Sequence, residues 1–427
     1  MRIAVIGAGI SGLGCAHALG REHQVTLYEA APRLGGHTNT IDVTLDGVTA
    51  AVDTGFIVYN ERTYPRLIAL FAELGVPTAK SDMSFGVSVE RAGRRLEWSG
   101  SNLDSVFAQR RNLASPAFLG MVRDILRFNR DATALAADAA LGAGEQRSLG
   151  DWLDARGYGR AFREWYLLPM AAAIWSCPIA TMLRYPAATF IRFCHNHGLL
   201  QVENRPQWYT VRGGARQYVR RIAARLADVR VGEPVHEVRR EADGRVLVRS
   251  ASGPAHYDEV VLATHSDQAL RLLADADGLE RELLASVGYQ PNRAVVHTDQ
   301  ALLPENRKVW SSWNYLSSGG EEPQVSVSYL MNRLQPLPFE RPVVVSLNPL
   351  AEPRPDTVIA EFDYEHPVFD AAAVHAQARL PDVQGRNGVW FAGAWTGYGF
   401  HEDGLKSGLV VAESLRARGL RSRRIAA

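Results

Sequence analysis

Gly7-Ala8-Gly9-Ile10-Ser11-Gly12 sets three glycines at G-x-G-x-x-G spacing near the start of the chain. The string follows a short apolar run, Arg2 to Ile6, and opens a small, helix-compatible stretch, Ser11 to Leu19. In a strand-to-helix turn of this kind Gly7 permits the reversal, Gly9 lets the backbone approach a phosphate, and Gly12 lets the helix pack on the strand. The helix start at Ile10 and Ser11 offers unpaired N–H groups and the positive end of a dipole to an anion. The implied chemistry is binding of a dinucleotide pyrophosphate. Glu29 ends a second β-rich run, Gln24 to Tyr28, about 20 residues further on. A carboxylate there accepts from ribose hydroxyls and argues against a 2′-phosphate. The turn alone does not choose NAD from FAD.

After Glu29 comes Ala30-Ala31-Pro32-Arg33-Leu34-Gly35-Gly36-His37. Arg33 is suited to pair with pyrophosphate, and the Gly35-Gly36 pair lets a loop pass against a ribityl chain. His37 adjoins that loop and reads as a binding residue. This segment resembles the extended FAD fingerprint of the flavin amine oxidase and phytoene desaturase superfamily. The resemblance recurs at Asp53-Thr54-Gly55-Phe56, at Val211-Arg212-Gly213-Gly214, at Gly388-Val389-Trp390-Phe391-Ala392-Gly393 and at Asp403-Gly404-Leu405-Lys406-Ser407-Gly408. It implies non-covalent FAD held by these segments, with Ala30, Thr54, Gly55, Phe56, Val235, Ala263, Gly393, Ala394, Glu402, Asp403 and Gly404 as further contacts. Val235 falls where a strand backbone meets the adenine. The start of the last helix would face flavin N1 and O2.

The sequence departs from the family at one point. Ala394 follows Phe391-Ala392-Gly393, where the family places an aspartate on ribityl or phosphate oxygens. Weaker binding, or a replacement contact from Thr396, are both open. No second G-x-G-x-x-G serves a nicotinamide, and no cysteine sits in the C-terminal flavin loop to bond the flavin.

A narrower resemblance rests on Pro169 to Ser176, Asn196-His197-Gly198-Leu199-Leu200, Arg205-Pro206-Gln207-Trp208, Trp310-Ser311-Ser312-Trp313-Asn314 and Gly397 to Gly404. These segments are similar to NAD/FAD-binding proteins that resemble the N-terminal flavin domain of plant cyclopropane fatty acid synthases. That implies oxidation, plausibly desaturation, of a fatty acyl or other lipid chain by hydride transfer to flavin, with a cyclopropane-synthase-like methyltransferase as a candidate partner. Two alternatives stay open: an amine oxidase of the same superfamily, and a redox-silent FAD-binding partner of a lipid methyltransferase. Lys80, Lys308 and Lys406 are the only lysines, and none falls clearly where amine oxidases use one.

Hydride removal from carbon needs a dry apolar slot, for which Trp175, Phe190, Phe193, Trp313, Tyr315 and Tyr329 are candidates beside ordinary core packing. By motif match His401 and Glu402 enter the flavin loop and are the candidates for catalytic proton handling. His195, His197 and His297 read as structural histidines. No His, Asp or Glu cluster has metal-ligand spacing, so no metal is expected.

The order of these motifs predicts an α/β fold, a Rossmann-like FAD-binding domain of the glutathione-reductase and amine-oxidase type with an interleaved α+β substrate domain. The FAD domain is expected from residues 1–75, 205–270 and 385–427, and the substrate domain from 76–204, mostly helical, and 271–384, mostly strand. Tyr64 to Leu74 carries a helical apolar stripe stopped by Gly75-Val76-Pro77, and Ser115-Pro116 starts another helix. Val229 to Arg240, Val246 to Ser250 and Glu259 to Ala263 read as strands, with Ala242-Asp243-Gly244 as a hairpin turn. A last strand, Val389 to Ala392, precedes a closing helix from about Gly404.

The 427 residues suit two domains, and 47 basic against 46 acidic side chains give no electrostatic case for nucleic acid. Cys15, Cys177 and Cys194 are too scattered for a disulfide framework and suit a reducing, cytoplasmic setting. The N-terminus lacks the features of a signal peptide, and no apolar run is long enough to span a bilayer. Peripheral contact with the inner face of a membrane stays open at two places. One is the basic tail, Arg416, Arg418, Arg421, Arg423 and Arg424, otherwise a solvated, frayed end. The other is the amphipathic segment 115–130 with Arg123, Arg127 and Arg130, otherwise a core-packing helix.

Overall fold

The structure is a computed structural model that describes residues 1–425 apart from 92, 139–144, 146, 176–178, 202–203 and 320–323, with side chains as far as Arg418. Ser176, Cys177 and the side chains of Arg421, Arg423 and Arg424 lie outside the described residues.

Short apolar runs build a five-stranded parallel sheet in the order Asp228–Val231, Gln24–Glu29, Arg2–Ile6, Glu259–Leu262, Val389–Phe391. Its central strands are buried on both faces, as continuous apolar runs require. Ile3 and Val5 pack on the first helix, Ile10–Leu19, while Ala4 and Ile6 pack toward the antiparallel meander Val235–Arg240, Val246–Ser250, Gly253–Tyr257. Because the strands are parallel, Gly7, Ala30, Ala263 and Gly393 all emerge at the sheet's carboxyl end.

The stretch expected as one strand from Val229 to Arg240 is two. Gly232, at φ +68°, breaks it, so Asp228–Val231 ends the parallel sheet and Val235–Arg240 starts the meander. The Ala242-Asp243-Gly244 turn does join the meander's first two strands, with Glu241 N donating to the Arg245 carbonyl at 2.9 Å.

A seven-stranded sheet runs in the order Val358–Val368, Gly288–His297, Val344–Leu347, Val325–Leu330, Trp313–Ser317, Phe85–Arg91, Arg94–Ser99. Its last two strands come from the segment read as mostly helical. Phe85-Gly-Val-Ser-Val-Glu-Arg alternates, its Val87 and Val89 are buried, and it pairs in parallel with Trp313–Ser317. A third strand of that segment, Thr78–Ser81, pairs with Trp208–Val211, and the regular elements described after Ser99 are helical. Pro116–Ala137 starts where expected, with Ser115 Oγ accepting from Phe118 N, and packs against Ala187–Asn196. Pro65–Leu74 stops at Gly75, which adopts the left-handed conformation.

The closing helix, His401–Ile425, begins three residues earlier than the sequence suggests, so Glu402 and Asp403 occupy its first turn. Of its arginines, Arg416 pairs with Glu22 at 3.1 Å and Arg418 with Glu259, on a central strand of the parallel sheet, at 3.2 Å.

Candidate flavin site

One cavity of about 640 Å³ runs from the carboxyl end of the parallel sheet to the inner face of the seven-stranded sheet. At its first end lies the glycine turn. Gly7 sits at φ +100° and donates to the Tyr28 carbonyl at 2.8 Å. Gly9 caps the first helix with no side-chain partner, and a Cβ built there would meet nothing within 4 Å. Gly9, Ile10 and Ser11 line the cavity, so the free N–H groups of the helix start border it. Gly12 does not line it. A Cβ there would run into the Gly7 carbonyl, so its role is close packing.

Glu29 and Ala30 line the same end, with Tyr28, Glu233 and Val235. The Glu29 carboxylate accepts from Ala8 N at 2.8 Å and Ala31 N at 2.9 Å, which fixes it beside the turn and leaves each oxygen further lone-pair capacity. Gly35 N donates to the Ala8 carbonyl at 2.9 Å, pinning the second glycine loop over the first. Arg33 is exposed and absent from the cavity wall. Its guanidinium donates to the carbonyl of Gly36 at 2.9 Å and thus braces the loop instead of meeting an anion.

Gly35, Gly36, His37, Thr54, Gly55, Phe56, Ala263, Gly393, Ala394 and His401 line the middle of the cavity. Phe56 N and the His37 carbonyl bond at 2.8 Å, so these two loops are held together. The His37 ring lies 5.2 Å from both Tyr364 and His366 and 6.3 Å from His265, and its Nε2 has no partner. Burial and the neighbouring histidines push its proton affinity well below the usual histidine range. Asp53 stands off the wall. It is fully buried, accepts from Ala215 N at 2.9 Å and Gln335 Nε2 at 2.8 Å, and is raised to about 7 by burial. Thr396 gives its hydroxyl to the Gly393 carbonyl at 2.8 Å and does not reach the cavity beside Ala394.

The closing helix starts at the cavity, and its first-turn residues divide. The His401 ring lines the wall, and burial lowers it to about 3. Glu402 faces the other way. Its two oxygens accept from Arg66 N and Leu67 N, both at 3.0 Å, and so cap helix Pro65–Leu74, whose own N-cap residue, Tyr64, offers no side-chain bond. The carboxylate of Asp403 accepts from Phe400 N at 3.0 Å, closing the preceding loop, and burial raises it to about 6. Gly404 packs on Ile10 and Ser11, where a Cβ would come within 2.9 Å of both. Two helix N-termini therefore converge on one cavity.

The far end is aromatic and apolar. Met83, Ile174, Trp175, Phe193, His197, Leu199, Trp208, Trp313, Tyr329 and Phe400 line it. Trp175 lies 4.5 Å from Phe193, which stacks on Phe400 at 4.9 Å, and Trp313 meets Tyr329 edge-on at 4.9 Å. Phe190 and Tyr315, expected in this slot, are fully buried in the core behind it. His197, read as structural, does border the cavity. Its Nδ1 lies 3.0 Å from the Phe193 carbonyl, and burial lowers it to about 4. His297 is structural, wholly buried with Nε2 2.9 Å from Ser346 Oγ.

Sequence reasoning missed His265, Tyr364 and His366 on the middle wall. The alternation Tyr364, His366 on one strand, and a histidine two places after Ala263, were the available signals.

A cavity that begins between two helix N-termini at the carboxyl ends of a parallel sheet, and continues into an aromatic chamber, is suited to a bound dinucleotide beside an apolar ligand. The family model for flavin containing amine oxidoreductase matches residues 10–416, and the chain belongs to that family. Membership brings a flavin cofactor. Carotenoid phi-ring synthase of Streptomyces griseus is 27% identical over 289 residues, covering 64% of this chain and 54% of the synthase, so the chain spans about half the length of that relative. L-amino-acid oxidase of Pseudechis australis is 51% identical over 47 residues, 11% of this chain and 9% of the oxidase. Among solved structures, putrescine oxidase bound to putrescine superposes with a TM-score of 0.68 at 17% identity, covering 98% of this chain and 99% of that one. A CLA-producing fatty acid isomerase from P. acnes gives 0.66 at 15% identity, over 96% and 98%. At these identities the structural likeness shows the fold alone.

Proposed function

We propose that the chain holds FAD without a covalent bond and uses it to oxidise, most simply to desaturate, a fatty acyl or other lipid chain. The observation that carries this reading is the aromatic chamber: among the described residues that line it, none is an acid, a lysine or an arginine. The charged wall residues lie elsewhere: Glu29 and Glu233 at the glycine-turn end, Arg271 on the helix after Ala263, and Glu365 on strand Val358–Val368, where it pairs with His265 at 3.5 Å. An uncharged apolar ligand suits such a chamber, because burying an unpaired charge there is costly. The printed activities of the phi-ring synthase and the fatty acid isomerase also concern apolar chains.

The residues present fit a flavin dinucleotide. Gly9 leaves open space at the free N–H groups of the first helix, Val235 and Glu29 border the adenosine end, and neither described cysteine, Cys15 or Cys194, lines the cavity. The chemistry such a group supplies is acceptance of a hydride. The chain's own part is to orient and to exclude water. The start of the closing helix sets positive potential at the middle of the cavity, Trp175, Phe193 and Phe400 shut out solvent, and Gly35 and Gly36 let the second loop lie against the cofactor.

The amine oxidase reading has the solved putrescine oxidase in its favour, yet none of the three lysines, and no carboxylate able to hold an ammonium, lines the described chamber. Purified protein with bound flavin should release FAD on acid precipitation and should bleach anaerobically with acyl lipids. Bleaching by polyamines or aromatic amines, with none by lipids, would overturn the lipid assignment.

A further inference from the structure

We infer that the outer face of helix Pro116–Ala137, with the short elements before it, is a docking surface for an anionic lipid bilayer. Of the eight large apolar side chains most exposed among the described residues, four lie between 103 and 126: Leu103 at 77%, Leu113 at 53%, Leu119 at 44% and Leu126 at 58%. That density is what marks the face, since exposed apolar residues scattered singly need no explanation.

The arrangement follows from helical period. Phe118, Met121, Phe128, Ala132 and Leu135 point inward and are buried. Opposite them Pro116, Leu119, Arg123, Leu126 and Arg130 form one exposed stripe, close to i, i+3, i+7, i+10 and i+14. Leucines alternate with arginines whose side chains are 81% exposed at Arg123 and 75% at Arg130. Arg110, 62% exposed, adds a further cation beside Leu113. The acids nearby are three. Asp104 is held by Arg110 and Lys308, Asp124 is 5% exposed and shared by Arg123 and Arg127, and Asp131 lies beside Arg130. Between residues 103 and 137 five arginines, Arg110, Arg111, Arg123, Arg127 and Arg130, stand against these three aspartates, which leaves the face cationic. Apolar side chains interleaved with outward cations match the acyl boundary and headgroups of an anionic leaflet.

A second copy of the chain is a poorer occupant, because a two-fold pairing of this face would set arginines against arginines. No helix among the described residues is long and apolar enough to cross a membrane, so contact through this face is peripheral. The face also has a use. Its helix packs on Ala187–Asn196, whose Phe193 lines the aromatic chamber, so docking would bring the chamber's helical wall to a lipid surface.

Co-sedimentation of the flavin-loaded protein with phosphatidylcholine vesicles, with and without phosphatidylglycerol, tests this without any substrate, and so independently of the acyl reading. The wild type should bind the anionic vesicles only, and added salt should weaken it. The pair Leu119→Ser with Leu126→Ser should bind about tenfold less, with melting temperature and flavin spectrum unchanged. The pair Arg123→Glu with Arg130→Glu should lose the preference for anionic lipid. Val48→Ser, at an exposed site elsewhere, should bind like the wild type. A wild type that stays in the supernatant, equal loss in Val48→Ser, or a dimer in sedimentation equilibrium that the leucine pair dissolves, would each overturn the proposal.

Discussion

The imidazole of His401 lies flat on the ring of Phe56, with centroids 3.8 Å apart and planes 8° from parallel, while its Nε2 meets the Tyr218 hydroxyl at 2.7 Å. The Phe56 loop, helix Arg216–Ala223 and the closing helix are thereby locked at the middle of the cavity. Burial holds the imidazole at about 3, so it stays uncharged from mildly acidic to alkaline pH. A neutral ring that is stacked and hydrogen-bonded orients its neighbours better than it exchanges protons. We expect His401→Gln to weaken flavin binding yet leave the shape of the pH dependence of flavin reduction unchanged between pH 5 and pH 9. A limb near pH 6 in the wild type that vanishes in the variant would return a proton-handling role to His401.

Glu402 gives a sharper separation. Its carboxylate receives the N–H groups of Arg66 and Leu67, a cap supplied across the fold rather than from the helix's own N-cap position. Losing an N-cap typically costs about 1 kcal/mol, and here two bonds depend on one side chain. Glu402→Ala should lower the melting temperature by several degrees. Glu402→Gln should recover part of it, with turnover per bound flavin close to wild type in both. A catalytic acid would behave oppositely: stability kept, turnover lost even in the glutamine variant.

Two of the turn glycines, Gly9 and Gly12, should fail in different ways. A methyl at Gly9 enters open space beside the helix start, whereas a methyl at Gly12 collides with the Gly7 carbonyl. Gly9→Ala is therefore expected to fold with a near-native melting curve but, if the proposed cofactor's phosphates rest on the N–H groups of that helix start, to bind flavin at least about tenfold more weakly. Gly12→Ala should be recovered poorly or melt far lower, with or without added FAD. Equal flavin affinity in Gly9→Ala and the wild type would move the pyrophosphate away from this turn.

What was legible in the sequence was mostly local. The glycine turn, the Ser115-Pro116 helix start and the Gly75 stop each rest on a few adjacent residues whose backbone demands are specific, and each stands where it was expected. Chain direction at Gly232 was less legible, because the runs on either side, Val229 to Val231 and Val235 to Arg240, are both β-rich, and only the short break Gly232-Glu233-Pro234 splits them between two sheets. Phe85–Arg91 was hidden by the helices that follow. Its place depends on pairing with Trp313–Ser317, more than two hundred residues away. Side-chain direction was least legible of all. Arg33 and Glu402 sit in matching motifs, yet one is turned to loop carbonyls and the other to a distant helix, because backbone groups there needed partners.

Buried ionisable groups set a last expectation, for stability against pH. His197, His297 and His366 are lowered to about 4, and His401 to about 3, chiefly by burial. The unfolded chain, with histidines near 6.5, takes up protons that the folded chain refuses. Their contribution is thus fully present above about pH 6.5 and is lost as pH falls toward 4. Asp53, raised to about 7, and Asp403, raised to about 6, act in the opposite sense. Each folded carboxyl holds a proton that its unfolded counterpart releases near 3.9, so its contribution is present in acid and lost as pH rises through 6 to 7. A tenfold change in proton affinity is worth about 1.4 kcal/mol, and four histidines outweigh two carboxyls. The melting temperature should therefore fall between pH 6.5 and pH 4. His297→Gln should flatten that acid slope, while Asp53→Asn, which keeps the buried site neutral, should remove the opposing loss of stability between about pH 4 and pH 7. Thermal melts of the three proteins from pH 4 to pH 9 decide it. A wild-type melting temperature that is flat or rises on acidification would mean that water reaches these histidines and that the cavity walls are looser than their packing implies.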